Sequence, residues 1–233
     1  MDSLLMLKGG YMLLGLDVGG TFTDAVIIDG HRVVATAKRR TTKDNLMNGI
    51  GEALDAVLEG YDTSNIEQVT LSTTVVTNTI VEEKEQVVDL YVITGPGRNV
   101  DDIFPVEPIY LQGYTDHRGI VVEGTPADAV RGIANMVQAH SGTDLAAVSA
   151  KFGVRNPHEE LSITEELKNT YHTISNGSLL SGSLNFPRRT ISAYFNSAVT
   201  PVFTVFKENV EDALRARNIV APLHILKADG GSL

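Results

Sequence analysis

The sequence contains no cysteine, which excludes disulfides, thiolate metal sites and a cysteine nucleophile. Its apolar runs are short, and none approaches the ~20 residues of a membrane-spanning helix. The start, MDSLLMLKGGY, lacks the basic stretch and A-x-A cleavage site of a secretory signal. A cytoplasmic location is therefore expected, and the Asn176-Gly177-Ser178 glycosylation sequon is discounted. Positive charge is scarce: 19 Lys and Arg stand against 29 Asp and Glu, a net charge of −10. The basic residues form no stripe, so a nucleic-acid surface is disfavoured and small molecules or proteins are the expected partners. The six histidines show no H-x₃-H or H-E-x-x-H spacing, and a metal site built from them is not expected. Walker A, G-x-G-x-x-G and G-x-S-x-G patterns are missing too.

What is present is a globular composition, with 42% hydrophobic residues in a chain of 233. That length fits one large domain or two small ones. Residues 1–11 are expected to be a disordered leader without a role in the fold. Strands are predicted at Met12–Asp17, Thr23–Ile28 and Arg32–Ala37, with Asp29-Gly30 as a hairpin turn. Apolar residues at Leu46, Met47, Ile50, Leu54, Val57 and Leu58 mark one face of a helix over Asp44–Glu59, stopped by Gly60. A strand at Gln68–Ser72 runs into TTVVTNTIVEEK, which reads as a short helix before a strand at Val87–Thr94. Residues 95–124 are rich in Gly and Pro and read as an irregular excursion.

Regular alternation then resumes. Thr125-Pro126 resembles an N-cap with Pro at N1. Leu145–Ala150 is a compact apolar strand. Asn156 to Glu159 has the spacing of a capping box opening a helix to about Asn169. Asn176–Ser183 reads as a loop. From Ile191 to Leu214 one apolar stripe marks a long helix that Pro201 should kink or divide, and a last strand follows at Leu223–Ala228. Strands alternating with helices specify an α/β layer structure with a mixed sheet flanked by helices.

Chemistry concentrates at Leu13–Asp24, LLGLDVGGTFTD. Two strands joined by a glycine turn would present backbone N–H groups and the hydroxyls of Thr21 and Thr23 at one tip, a concavity suited to phosphate. Asp17, at the strand end, could hold a hydrated Mg²⁺ beside it. Ser72-Thr73-Thr74 and Thr77-Asn78 form a second polar cluster, for which an anion site and a plain helix cap are both open. Gly95-Pro96-Gly97-Arg98 and Arg188-Arg189 are weaker candidates for reaching an anionic group.

These segments resemble the hydantoinase/oxoprolinase (hydantoinase A) family, N-terminal region. GLDVGGTFTDAVIID is similar to its phosphate motif, and LSTTVVTNTIVEEK to its GTT-TN segment, with Ser72 standing where the family has Gly. AVSAKFGVRNPHEE, RRTISAYFNSAVTPVFTVF and LKADGGSL resemble later family segments, so the likeness spans residues 12–233. It implies a ribonuclease-H-like, actin-like ATPase lobe over residues 12–187. Residues 188–233 would then be the long helix and first strand of a following lobe, in a chain that stops short of the whole two-lobe protein. It further implies ATP-dependent hydrolysis of a cyclic amide such as a hydantoin, 5-oxoproline or a lactam. Gly19, Gly20, Thr21 and Thr23 would cradle ATP, Asp17 would hold Mg²⁺ through water, and Asp24 would brace the loop. Thr73, Thr74 and Asn78 would join the nucleotide site. A second lobe or a hydantoinase B-type subunit would be the partner, an oligomer is compatible with this reading, and the fragment alone is expected to be inactive. A small-molecule kinase of the same superfamily and a non-catalytic nucleotide-binding scaffold are the alternatives.

Overall fold

A computed structural model of the chain describes residues 11–42, 45–97, 103–227 and 231–232. The expectations for residues 1–10, Asp44, Arg98 and Asp229-Gly230 lie outside them. The chain forms two compact units, one of residues 1–82 with 202–233, the other of residues 83–201.

The first unit is built on five strands: β1 (Met12–Val18), β2 (Phe22–Asp29), β3 (Arg32–Arg40), β4 (Ile66–Thr73) and β11 (Leu223–Ile225). Their order is β11-β4-β1-β2-β3. The β1–β2 and β2–β3 pairs are antiparallel, and β4 and β11 run parallel to β1. This is the expected ribonuclease-H-like mixed sheet. Alternation dictates its faces: Leu14, Leu16 and Val18 point into the core, while Leu13, Gly15 and Asp17 point the other way. Helix α1 (Leu46–Leu58) covers the core face with Ile50, Leu54 and Val57. Asn45 caps it by accepting the Met47 N–H. Gly49 lets α1 approach the end of β3, since a Cβ there would lie 2.7 Å from the Arg40 carbonyl oxygen. The short helix α2 (Val75–Val81) follows β4.

The second unit holds a four-stranded parallel sheet of β5 (Asp89–Ile93), β6 (Ile109–Tyr110), β9 (Leu145–Ala150) and β10 (Thr173–Asn176), ordered β10-β9-β5-β6. Both central strands are buried along their whole length, as a covered parallel sheet requires. The excursion at 95–124 is less irregular than expected, because it holds β6 and the hairpin of β7 (Tyr114–Thr115) and β8 (Val121–Glu123). Strand β10, which no sequence signal predicts, ends on Asn176, and the one-turn helix α5 (Gly177–Leu180) occupies part of the Asn176–Ser183 segment predicted as a loop. Helices α3 (Ala127–Ser141) and α4 (His158–Leu167) start one residue later than their capping signals predict. The Thr125 hydroxyl donates to the Gln112 carbonyl instead of capping α3. The Glu159 carboxylate accepts the Thr125 N–H instead of closing a box with Asn156.

The long helix α6 (Phe186–Arg215) runs through Pro201 without a break, and the division between the units falls at that proline. Residues before it, such as Ala193 and Tyr194, serve the second unit's core. Phe206, Val210 and Leu214, after it, serve the first. Strand β11, expected to open a following lobe, instead pairs with β4, because its apolar Ile225 completes the first unit's core.

Candidate functional site

At the β1–β2 turn the Gly19 N–H donates to the Phe22 carbonyl at 3.0 Å. The N–H groups of Gly20 and Thr21 make no hydrogen bond among the described residues. Neither Gly19 nor Gly20 occupies the left-handed region, so dihedral freedom is not what the pair contributes. A Cβ on Gly20 would sit in ordinary contact, 3.5 Å from Asn78 Nδ2, which puts that side chain beside the turn. An oxyanion arriving there meets two unpaired N–H donors and the exposed Thr21 side chain.

Thr23 corrects the expected cradle. It is fully buried, with its hydroxyl 3.1 Å from that of Thr41, and Thr41 in turn donates to the Gly19 carbonyl at 2.9 Å. The Thr41 N–H also donates to the Thr21 carbonyl. Thr23 is therefore a strut beneath the tip, and a phosphate cannot reach it. The alternation of β2 carries the signal, since Thr23, Ala25 and Ile27 share the inward face.

On the other face, Ser72, Asp17, Asp24 and Lys38 stand directly opposite one another on β4, β1, β2 and β3. The next row is Thr70, Gly15, Val26 and Thr36. Both rows line a cavity of about 540 Å³. Gly15 is required here, as a Cβ would lie 2.8 Å from Val26 Cγ1. Lys38 Nζ is 2.9 Å from each Asp24 oxygen and 4.7 Å from the Phe22 ring centre. Asp24 thus holds Lys38, and among the described residues its carboxylate makes no bond to the turn. Asp17 is exposed and has no ion-pair partner among the described residues. Carboxylates opposite each other across antiparallel strands repel, and Lys38 offsets only one of them. A divalent cation, held mostly through water and phosphate oxygens, suits the other. Nothing local to Lys38-Arg39-Arg40 marks a site, and it takes the strand register to place Lys38 in this row.

The second polar segment meets the first. Thr73 Oγ1 accepts the Val75 N–H and donates to the Val18 carbonyl, and the Thr74 N–H donates to that same carbonyl. Asn78 Nδ2 donates to Thr74 Oγ1 at 3.3 Å. Thr73 and Thr74 are thereby anchors, while Asn78 is the side chain beside Gly20.

Other candidates fall in the second unit. Gly95 and Gly97 both have positive φ in a turn whose Pro96 carbonyl accepts from Lys151 Nζ. Arg189 is not available to a ligand: it is fully buried, its guanidinium donating to the Ser183 and Ala150 carbonyls. Burial pulls its pKa down, against the field of Glu160. No group of three or more His, Asp or Glu able to hold a metal occurs among the described residues. Nor is any helix among them long and apolar enough to cross a membrane.

The sequence pattern of the hydantoinase/oxoprolinase N-terminal region matches residues 13–171, well over half of the chain. The chain belongs to the hydantoinase/oxoprolinase family. Among solved structures it is similar to the nucleotide-free form of acetone carboxylase, an enzyme of ATP-dependent acetone carboxylation, with TM-score 0.74 and 18% identity over 95% of this chain. It is also similar to the ATP-dependent caprolactamase from Pseudomonas jessenii, with TM-score 0.67 and 18% identity over 94% of this chain. Both likenesses are of fold. The chain spans 36% of the length of each of those proteins. No curated protein matches it in sequence. The hydantoinase/oxoprolinase match begins on β1 and takes in the tip, the polar row, α2 and most of the second unit.

Proposed function

We propose that the β1–β2 tip holds the phosphates of ATP, and that the protein serves an ATP-dependent enzyme that opens cyclic amides. The observation that carries this reading is a bare tip whose two N–H groups, and the carboxylate beside them, have no partner among the described residues. Gly20 and Thr21 would bind phosphate oxygens through N–H and hydroxyl, and Asn78 would close over them. Asp17 would hold Mg²⁺ through water. Family membership supplies the reaction class, and the two similar structures are of proteins described as ATP-dependent. Amide resonance leaves a lactam carbonyl a poor electrophile. Moving the terminal phosphoryl group of ATP onto the amide oxygen, with ADP leaving, would make the carbonyl carbon electrophilic enough for water to add. The C–N bond would then break with the ring nitrogen leaving as the protonated amine, and hydrolysis of the resulting acyl phosphate would give the open-chain carboxylate and phosphate. The substrate class is a hydantoin, 5-oxoproline or a similar lactam. The adenosine side belongs in this reading to a second lobe or a hydantoinase B-type partner.

The test is turnover of MgATP by the protein together with that partner, over a panel of cyclic amides, with the products identified. ADP, phosphate and a ring-opened product are expected, and Asp17→Asn should abolish all three. A stable phosphorylated product would select the kinase alternative. An absence of amide-stimulated turnover across the panel would overturn the hydrolase reading.

A further inference from the structure

The polar row contains a cation whose place folding does not explain. Lys38 and Asp24 side chains are 58% and 46% exposed, and an ion pair so open to water contributes little to stability. Yet Lys38 is held with care. Two of its three N–H donors go to the two Asp24 oxygens, the Phe22 ring lies beneath the ammonium, and the third donor has no acceptor among the described residues. Neighbouring strands are about 4.8 Å apart. By leaning from β3 to Asp24, Lys38 brings its charge over β2, one strand spacing from Asp17.

Charge then decides what the row can bind. Asp17, Asp24 and Lys38 together carry one net negative charge. With a divalent cation on Asp17 the row becomes net positive by one, which suits a polyphosphate oxygen. Without Lys38 the same row with its cation is neutral.

We infer that Lys38 is a phosphate-binding residue of this site, reaching the outermost phosphate of the nucleotide, and that Asp24 is its positioning residue. This rests on the nucleotide reading of the tip. Nucleotide entering between the free N–H groups and Asp17 draws the ammonium partly off Asp24, and the third donor makes the first contact. An ammonium that meets only the outermost phosphate senses how many phosphates are present.

Calorimetric titration of MgATP, MgADP and AMP into the protein assembled with the second lobe or partner that supplies the adenosine side tests this, with melting temperature as a check on folding. Lys38→Met should weaken MgATP about tenfold, the scale of a lost charge-assisted contact, and leave AMP nearly unchanged. Lys38→Arg should restore most of the loss. Asp24→Asn should weaken MgATP by less, and the double variant should be no weaker than Lys38→Met alone, because the two residues act as one unit. Equal losses for MgATP and AMP, or additive effects of the two substitutions, would overturn the inference. If Lys38→Met binds like the unaltered protein while Asp17→Asn abolishes binding, Lys38 is excluded and the nucleotide reading survives. If the unaltered protein in that assembly binds no MgATP, both fall.

Discussion

Three hydroxyl and carbonyl groups under the hairpin, on Thr23, Thr41 and Gly19, set the shape of the tip. Replacing Thr41 with Val keeps the volume and strands the buried Thr23 hydroxyl and the half-buried Gly19 carbonyl. Unfolding in denaturant should show a loss of about 1–3 kcal/mol, the cost of leaving such groups unpaired. Asp17 is the opposite case. Asp17→Asn should abolish Mg²⁺-dependent ATP binding and leave the melting temperature equal or higher, since it relieves the repulsion with Asp24. Binding and melting measured on one preparation check both halves. Residues of this kind were unevenly legible. Asp17, Gly19, Gly20 and Thr21 lie at the strand turn that eight letters predict, because the turn is local. Thr23 misleads because a hydroxyl near a glycine pair looks equivalent to Thr21 until its side of the strand is counted. Lys38 is fourteen positions from Asp24, and only the β2–β3 register makes them neighbours.

Elements show the same division between local and distant causes. The helices announce themselves by periodicity, whereas β10 is four residues with two polar ones at its end. Its Ser175 is buried because the Ser197 hydroxyl, on α6, donates to it, a partner no local pattern predicts. The capping signals at Thr125 and Asn156 mislead for a related reason, as the Thr125 hydroxyl is spent on the Gln112 carbonyl and the Glu159 carboxylate on the Thr125 N–H. The turn between β7 and β8 offers a pH test. Asp116 accepts the Ile120 N–H, and Arg118 through both backbone and guanidinium, and these bonds hold its pKa down to about 2 from 3.8. A lowered carboxylate stabilises above its ordinary pKa and loses that contribution as pH falls through the folded value. The melting temperature of the protein should therefore exceed that of Asp116→Asn at pH 5, with the gap closing between pH 4 and pH 2. Deeper in the same unit, the Tyr171 hydroxyl bonds both Asp89 and Tyr91, and burial pushes the Tyr91 pKa up to about 12. Tyr171→Phe should cost about 1–3 kcal/mol in denaturant unfolding, because it strands a buried carboxylate contact.

At the scale of the whole molecule, the chain interrupts one unit with another. The second unit closes its cores with its own residues, such as Tyr91, Val148 and Ile163 on one side and Leu90, Ala147 and Phe186 on the other. Residues 83–201 produced alone should therefore melt cooperatively with native-like circular dichroism; a non-cooperative melt would show that they need the flanking chain. The sequence places that boundary elsewhere, at 187/188, because a helix with one continuous apolar stripe conceals that its two halves serve different cores.

The pairing of β4 with β11 has a consequence for synthesis. Leu71 and Ile225 are Cα partners, yet the whole second unit is translated between them. At roughly 5–20 residues per second, the ribosome takes on the order of ten seconds to bring out the later strand. Until then β4 presents an open edge, a template on which another chain can pair, and Phe206, Val210 and Leu214 have not arrived to cover the sheet. The second unit meets no such delay, because all its strands emerge within that interval. Of the two units, the one whose synthesis starts earlier is thus the later to be finished, and its open edge waits while the other unit is made.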